Sequence, residues 1–308
     1  MRVTEIETFR ALMSSGSARK AAALLGVTQP AVSQSLKRLE TEAGFELFQR
    51  LRGRLHPTPE AKALLIDVER MFVGLSAIEH RVRTLREFGL DQLQVACYPA
   101  FGLGFMPRCL EKLAASTKAE GRPQVSLQIL SSKEVRERVV TGQADFGLMA
   151  DEVSVEGLEA TTFARFAGVV VMKKGHPLAR HKHIRPEQLA EVPFLALNPE
   201  DASRRRLEAM LAEHGVSLSV AVHTPYAVSV CEMALRGLGV GIINPITAVD
   251  YAERGLVIRR LSIDVTFSCY LAIPAGKVLS GTAKRFLSLM RKQLQEDEQK
   301  LRDYLKAV

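Results

Sequence analysis

The 308-residue chain lacks the features that mark several large classes of protein. Its four cysteines, Cys97, Cys109, Cys231 and Cys269, include no close pair and have no histidine at metal-ligand spacing. Disulfide frameworks and zinc sites need such clustering, so buried free thiols are expected. No apolar run approaches the roughly 20 residues that cross a bilayer, and no secretory leader opens the chain. The expected location is the cytoplasm, with no membrane partner. No serine sits in a nucleophile elbow, and no two carboxylates can be tied to a common pocket. Glu200-Asp201 reads as the first turn of a helix. Gly237, Gly239 and Gly241 are misspaced for a dinucleotide loop; they lead from a helix into a strand, the reverse of that motif's setting. A helix cap and a tight turn are expected there. No catalytic residue, metal or cofactor is expected.

What the chain does have begins with charge. The net charge is +8 and the pI about 9.4, which permits a polyanionic partner. Nine basic and five acidic residues lie between Met1 and Thr58, half of the excess in a fifth of the chain. Within that stretch Ser17 can cap a helix running to Leu25, which Gly26 ends. Thr28 then caps a second helix, with Pro30 tolerated in its first turn. Val32, Leu36 and Leu39 share one face of it. Gln29, Ser33 and Lys37 line the other, flanked by Pro30, Gln34 and Arg38. Ala21, Ala22 and Ala23 would let the two helices cross closely. A donor-rich helix braced in this way is the recognition element of a helix-turn-helix. Thr4 and Glu7 read as the capping box of a preceding helix whose stripe is Ile6, Phe9 and Met13.

From Arg50 to His56 the alternation suits a strand with Arg50, Arg52 and Arg54 on one side, a basic wing beside the recognition helix. Its arginines would meet phosphates or a minor groove, and Ser17, Lys20 and Arg38 would hold the backbone. Thr58-Pro59-Glu60 opens a long helix. Along it Leu64, Val68, Met71, Leu75, Ile78, Val82 and Leu85 form a heptad seam, the pattern of a helix that pairs with another. No other apolar surface is evident nearby, so a dimer is expected.

Beyond Gly89 strands alternate with helices. QLQVACYP, VSLQIL, ADFGLM, AGVVVM, PFLAL, GVGIIN and SCYLAI read as strands. Residues 102–115, 133–141, 203–214 and 225–236 read as helices between them. The rhythm implies parallel sheets covered on both faces. Segments 90–165 and 166–266 can each form a lobe, and a return near residues 267–273 would place the last helix on the first lobe. That helix would carry a charged, solvated tail over residues 291–306.

In AAALLGVTQPAVSQSLKRLE, then GFELFQR, a basic turn and HPTPEA, the chain resembles the LysR-type transcriptional regulators, over nearly its whole length. The resemblance implies a winged helix-turn-helix over 1–58, a dimerising linker helix over 59–89 and an effector-binding domain over 90–308. That domain would be two-lobed and similar to periplasmic binding proteins, with lobe one at 90–165 and 267–308 and lobe two at 166–266. The implied partners are double-stranded promoter DNA, a small effector and a second copy of the chain, dimers pairing to tetramers. Contact with RNA polymerase is also admitted. The local sequence KKGHPLARHKHIRPEQL resembles an exposed turn of the family, which argues against a metal at His176, His181 and His183. Gln34 stands where many relatives carry arginine, and glutamine is a natural adenine reader.

The stretch from Thr224 to Phe267 resembles the branch that regulates lysine biosynthesis or responds to octopine and nopaline. An amino acid or a derivative, such as diaminopimelate or an opine, is then the implied effector. Physically, its cleft should be built at the carboxyl ends of strands, where helix N-termini offer free amides. Those loops hold Pro99, Ala100, Phe101, Ser131, Ser132, Met149 and Ala150 on lobe one. On lobe two they hold Asn198, Glu200, Asp201, Arg204, Thr224, Tyr226 and Asn244. Asp151 or Glu200 would receive an ammonium group and the serine pair a carboxylate, unless Ser131 and Asp201 only cap helices. The alternative function is a solute-binding protein or an amino-acid-metabolising enzyme bearing a helix-turn-helix.

Overall fold

The structure, a computed structural model, describes residues 1–51, 54–88, 92–116 and 123–307. The chain divides into two compact units, Met1–His80 and Arg81–Val308.

The first unit starts with helices α1 (Val3–Ser15), α2 (Ala18–Leu25) and α3 (Gln29–Ala43). The Thr4–Glu7 capping box does not form. Because α1 already begins at Val3, Glu5 is the residue placed to reach back, and its carboxylate accepts the Arg2 N–H at 2.8 Å. Ser17 caps α2 by accepting the Lys20 N–H at 3.1 Å, and Gly26 ends it at a φ of 64°. Thr28 caps α3, with Pro30 in the first turn. Phe9, Leu12, Ala21, Val32, Leu39, Leu47 and Phe48 fill the core. Ala22 joins them but Ala23 is exposed, since the neighbouring helices cover only one stripe of α2.

The basic segment is a hairpin and not one strand. β1 (Phe48–Leu51) and β2 (Arg54–Pro57) pair antiparallel, with Arg50 opposite Leu55 and Leu51 opposite Arg54. Arg50 and Arg54 thus occupy positions of opposite parity. Pairing satisfies backbone groups that a lone strand would leave open. Arg52 lies outside the described residues, as do the side chains of Arg50 and Arg54. Glu40 sets the hairpin on α3 by accepting the Leu47 and Phe48 N–H groups at 2.8 and 3.2 Å.

Thr58 caps the long helix α4 (Pro59–Phe88), accepting the Ala61 N–H at 3.2 Å. The seam along α4 is divided in use. Leu64, Val68 and Met71 pack into the core of the first unit, so an apolar surface does lie nearby. Arg10 of α1 clasps Glu69 with two 2.9 Å hydrogen bonds and stacks over Phe72. Leu75, Ile78 and Val82 are exposed, and the side chain of Leu85 lies outside the described residues.

In the second unit β3 (Leu93–Cys97), α5 (Pro99–Gly102), α6 (Phe105–Ala115), β4 (Val125–Ile129), α7 (Ser132–Val140), β5 (Phe146–Ala150) and β6 (Leu158–Ala167) build a first lobe. The chain crosses to β7 (Val169–Lys173), β8 (His183–Ile184), β9 (Phe194–Leu197), α8 (Ala202–Glu213), β10 (Val220–Thr224), α9 (Ala227–Leu235), β11 (Val240–Ile243), α10 (Pro245–Ala252) and β12 (Leu256–Leu261). It returns through β13 (Thr266–Pro274) and ends in α11 (Gly281–Ala307). The sheet orders are β4-β3-β5-β13-β6 and β10-β9-β11-β7-β12-β8. Both sheets are mixed, which departs from the expected parallel arrangement. β13 runs antiparallel to β5 and β6, and β7 antiparallel to β11 and β12. The strand that follows each crossing, β7 or β13, enters its sheet from the opposite end.

The two crossings run side by side, the Gly168 N–H donating to the Val265 carbonyl at 2.8 Å. A Cβ on Gly168 would stand 2.7 Å from the Phe267 ring, so the close approach excludes larger residues without a shift. The tail of α11 is not solvated on all sides. Ala283, Phe286, Met290 and Leu294 pack on the first lobe, but Leu301, Tyr304 and Leu305 pack on the second. Asp297 is fully buried, held by Arg108 at 2.7 Å and Gln293 at 2.8 Å, because its face of the helix lies against protein.

Candidate functional site

Two surfaces combine chemistry with exposure, and the first is α3. Gln29, Pro30, Ser33, Gln34, Lys37 and Arg38 are all exposed, while Val32 and Leu39 are buried behind them. The helix thus presents amides, a hydroxyl and two cations from a braced backbone. Those groups complement base edges and phosphates. Lys20 is exposed, and Ser17 is half-buried as a cap.

The second is a cavity of about 290 Å³ between the lobes. Of the expected residues, Pro99, Ala100, Ser131, Ser132, Ala150, Asp151, Asn198, Glu200, Asp201, Tyr226 and Asn244 line it. Four do not. Phe101 is buried in an aromatic cluster, edge-on to Phe105 at 5.1 Å. Met149 is buried against α7, since strand alternation turns it away from its neighbours. Thr224 is buried, its hydroxyl accepting the Tyr226 N–H. Arg204 turns aside and donates to the Leu197 carbonyl and to Glu208.

Arg206 takes the place expected of Arg204. Ser203 and Arg206, three apart on α8, share the face toward the cavity. Tyr98, Glu152, Leu197, Pro225 and Ala227 also line it, beside loop positions already identified. Phe267 and Ser268 arrive on β13, where no local pattern announces them.

Several lining groups are already engaged. Ser131 caps α7 and exchanges hydrogen bonds with Glu134, while Ser132 Oγ accepts the Ala150 N–H at 3.1 Å. The serine pair is therefore not free as expected, because the helix start needs it. Asp201 caps α8, accepting the Ser203 and Arg204 N–H groups. Asp151 is paired with Arg206 at 3.0 Å, so it is not an uncommitted ammonium acceptor. Glu200 is exposed. Glu152 is open to the cleft yet ringed by protein, and this desolvation pushes its carboxyl above the ordinary value. The buried Asn244 caps α10, and Thr247 donates across to the Ala100 carbonyl at 3.0 Å, tying the lobes. Of the three histidines, His176 accepts the Leu178 N–H in a short turn.

Sequence comparison decides the family. Residues 3–62 match the family described as bacterial regulatory helix-turn-helix protein, lysR family, and residues 90–295 match the LysR substrate binding domain. The chain belongs to the LysR-type family. It is 37% identical over 283 residues to the transcriptional activator protein LysR of Escherichia coli K12, across 91% of this chain and 89% of that one. Regulatory protein NocR of Agrobacterium fabrum is 33% identical, with 87% and 88% covered. OccR of Rhizobium meliloti, an octopine catabolism and uptake operon regulatory protein, is 32% identical, with 85% and 86% covered. Full-length CbnR complexed with its target DNA shares the fold at a TM-score of 0.57 and 19% identity, covering 95% of this chain and all of that one.

This LysR-type chain is accordingly a DNA-binding transcriptional regulator with an effector-binding domain. The three relatives named here are transcriptional or regulatory proteins. Among the described residues no helix is long and apolar enough to cross a membrane.

Proposed function

We propose that α3 reads the major groove of promoter DNA in the cytoplasm and that the inter-lobe cavity holds an amino acid or an amino-acid derivative. The exposed polar face of α3 carries the first part. Gln29, Ser33, Gln34 and Lys37 meet base edges, Pro30 makes apolar contact, and Ser17, Lys20, Arg38, Arg50, Arg52 and Arg54 hold phosphates or a minor groove. The boundaries are 1–58 for DNA binding, 59–89 for the linker helix and 90–308 for the effector domain. The exposed part of the seam, Leu75, Ile78 and Val82, pairs two copies, and dimers join into tetramers that reach RNA polymerase. The chain has no catalytic role.

The effector class rests on the lining of the cavity. Glu152 and Glu200 offer carboxylates to a nitrogen cation, and Arg206 offers a guanidinium to a carboxylate. The relative regulating octopine catabolism fits the same class. Titration calorimetry of the full chain with basic amino acids and octopine tests it. Binding of one of them, lost in Ser132→Glu while the fold is kept, is expected. If none raises the melting temperature at millimolar concentration, the effector class is wrong. DNA binding is tested apart from this, by an electrophoretic shift with the gene's own upstream region.

A further inference from the structure

We propose that the Asp151–Arg206 ion pair is the receptor for the zwitterionic head of the effector, opening so that Arg206 takes its carboxylate and Asp151 its ammonium. This rests on the reading that the cavity holds an amino acid, and it assigns the two poles to particular atoms.

Three observations lead there. First, Arg206 is the only guanidinium among the described residues that line the cavity. It is fixed from behind, since Nε and Nη2 donate to the Thr266 carbonyl at 3.0 and 2.7 Å. A fork anchored on backbone keeps its aim when its front partner is exchanged. Second, that front partner is a carboxylate. Asp151 Oδ2 lies 3.0 Å from Nη1 and Oδ1 lies 3.2 Å from Nη2, a two-point grip that any other carboxylate can reproduce. Third, Asp151 belongs to the first lobe, just beyond β5, and Arg206 to α8 of the second. The pair therefore bridges the lobes at the cavity wall.

A lone anion would free Arg206 only by stranding Asp151, and a lone cation would strand Arg206. Either loss leaves a partly desolvated charge without a partner. A zwitterion avoids both, because each pole supplies the partner that the opposite residue gives up. The direct tie between lobes becomes a tie through the effector. Of the remaining carboxylates Asp201 is engaged as the cap of α8, and Glu152 and Glu200 are left for the effector's side chain and favour a basic one.

The test crosses three probes with two variants of the full-length protein, reading thermal shift and calorimetry. The probes are L-arginine, agmatine (which lacks the carboxylate) and 5-guanidinopentanoate (which lacks the α-ammonium). Wild type is expected to bind only L-arginine. Asp151→Asn removes the competing anion and should gain 5-guanidinopentanoate, and Arg206→Met removes the competing cation and should gain agmatine. Each variant should lose L-arginine affinity by about ten- to a hundredfold, the worth of one charge-assisted contact. Should Arg206→Met fail to fold, Arg206→Lys keeps the charge without the fork, and about tenfold weaker L-arginine binding is expected.

L-arginine binding unchanged within twofold in both variants would overturn the receptor and leave the amino-acid reading standing. A further arm needs no side chain: propionate at tens of millimolar should stabilise Asp151→Asn but not wild type, against chloride at matched ionic strength. If propionate does so while no amino acid binds wild type, the receptor stands and the effector class falls. If no probe acts on any variant, both fall.

Discussion

Glu152 sits at the cavity with its carboxyl raised by desolvation, opposed by hydrogen bonds from its own N–H and from Ser132. A raised carboxyl contributes stability that is complete below the unfolded value and lost as pH climbs through the folded one. At neutral pH the residue therefore costs stability, as binding groups often do. Glu152→Gln should raise the melting temperature of the full chain at pH 7 relative to wild type, with the gain fading toward pH 4. A gain equal at both pH values would contradict this origin. Gln34 on α3 makes a separate prediction. Gln34→Ala should cost about 1–3 kcal/mol of discrimination at one base pair, measured by competition between mutated operators. Arg54→Ala should instead weaken binding to all sequences and flatten the salt dependence by about one unit of slope. The face holding Gln34 was legible because helical period alone separates it from Val32 and Leu39. Arg206 was not legible, since choosing it over Arg204 needs the position of the other lobe.

At the scale of elements, α4 is one helix serving two surfaces. Val68 is buried in the first unit while Leu75 and Ile78 are exposed, so charge has different effects along a single heptad pattern. Leu75→Glu and Ile78→Lys should dissociate the proposed dimer in sedimentation while leaving the melting of the first unit unchanged. Val68→Glu should lower that melting temperature, because it buries an unpaired charge in a packed core. Unchanged mass for Leu75→Glu would remove the seam from the interface. The heptad was visible in sequence; its division was not, since Arg10, Glu69 and Phe72 come together only in space. The same holds for β12, where Arg259 and Arg260 interrupt the apolar pattern of a strand. Arg259 is buried because its guanidinium donates to the Ala179 and Ile258 carbonyls. Helix α10 was also unread, although Asn244 followed by Pro245 is a cap-and-first-turn signal.

For the molecule as a whole, α11 joins both lobes of the effector domain. Tyr304 holds the Leu256 carbonyl and the Ile258 N–H, and Leu301 and Leu305 pack beside it. Deleting residues 301–308 should lower the melting temperature of the effector domain by about 5 °C or more, through lost apolar burial. A truly solvated tail would leave it unchanged. Operator binding should meanwhile depend on two heads acting together. Dissociation through Leu75→Glu should weaken full-site DNA far more than an isolated half-site, because the second contact relies on effective concentration.

Sequence by itself determined the helix-turn-helix, its caps, the polar face of α3, the start of α4 and the two-lobed α/β plan. The first four rest on periodicity or capping within some 20 residues of chain, where local geometry and burial agree; the two-lobed plan rests on the longer alternation of strands and helices and on the family resemblance. Tertiary structure decided the hairpin in place of a strand, the mixed sheets, the divided seam, the buried face of α11 and the pairing of Asp151 with Arg206. In each of these the controlling partner is distant in sequence or is the backbone of another element, and no local pattern of side chains encodes its position.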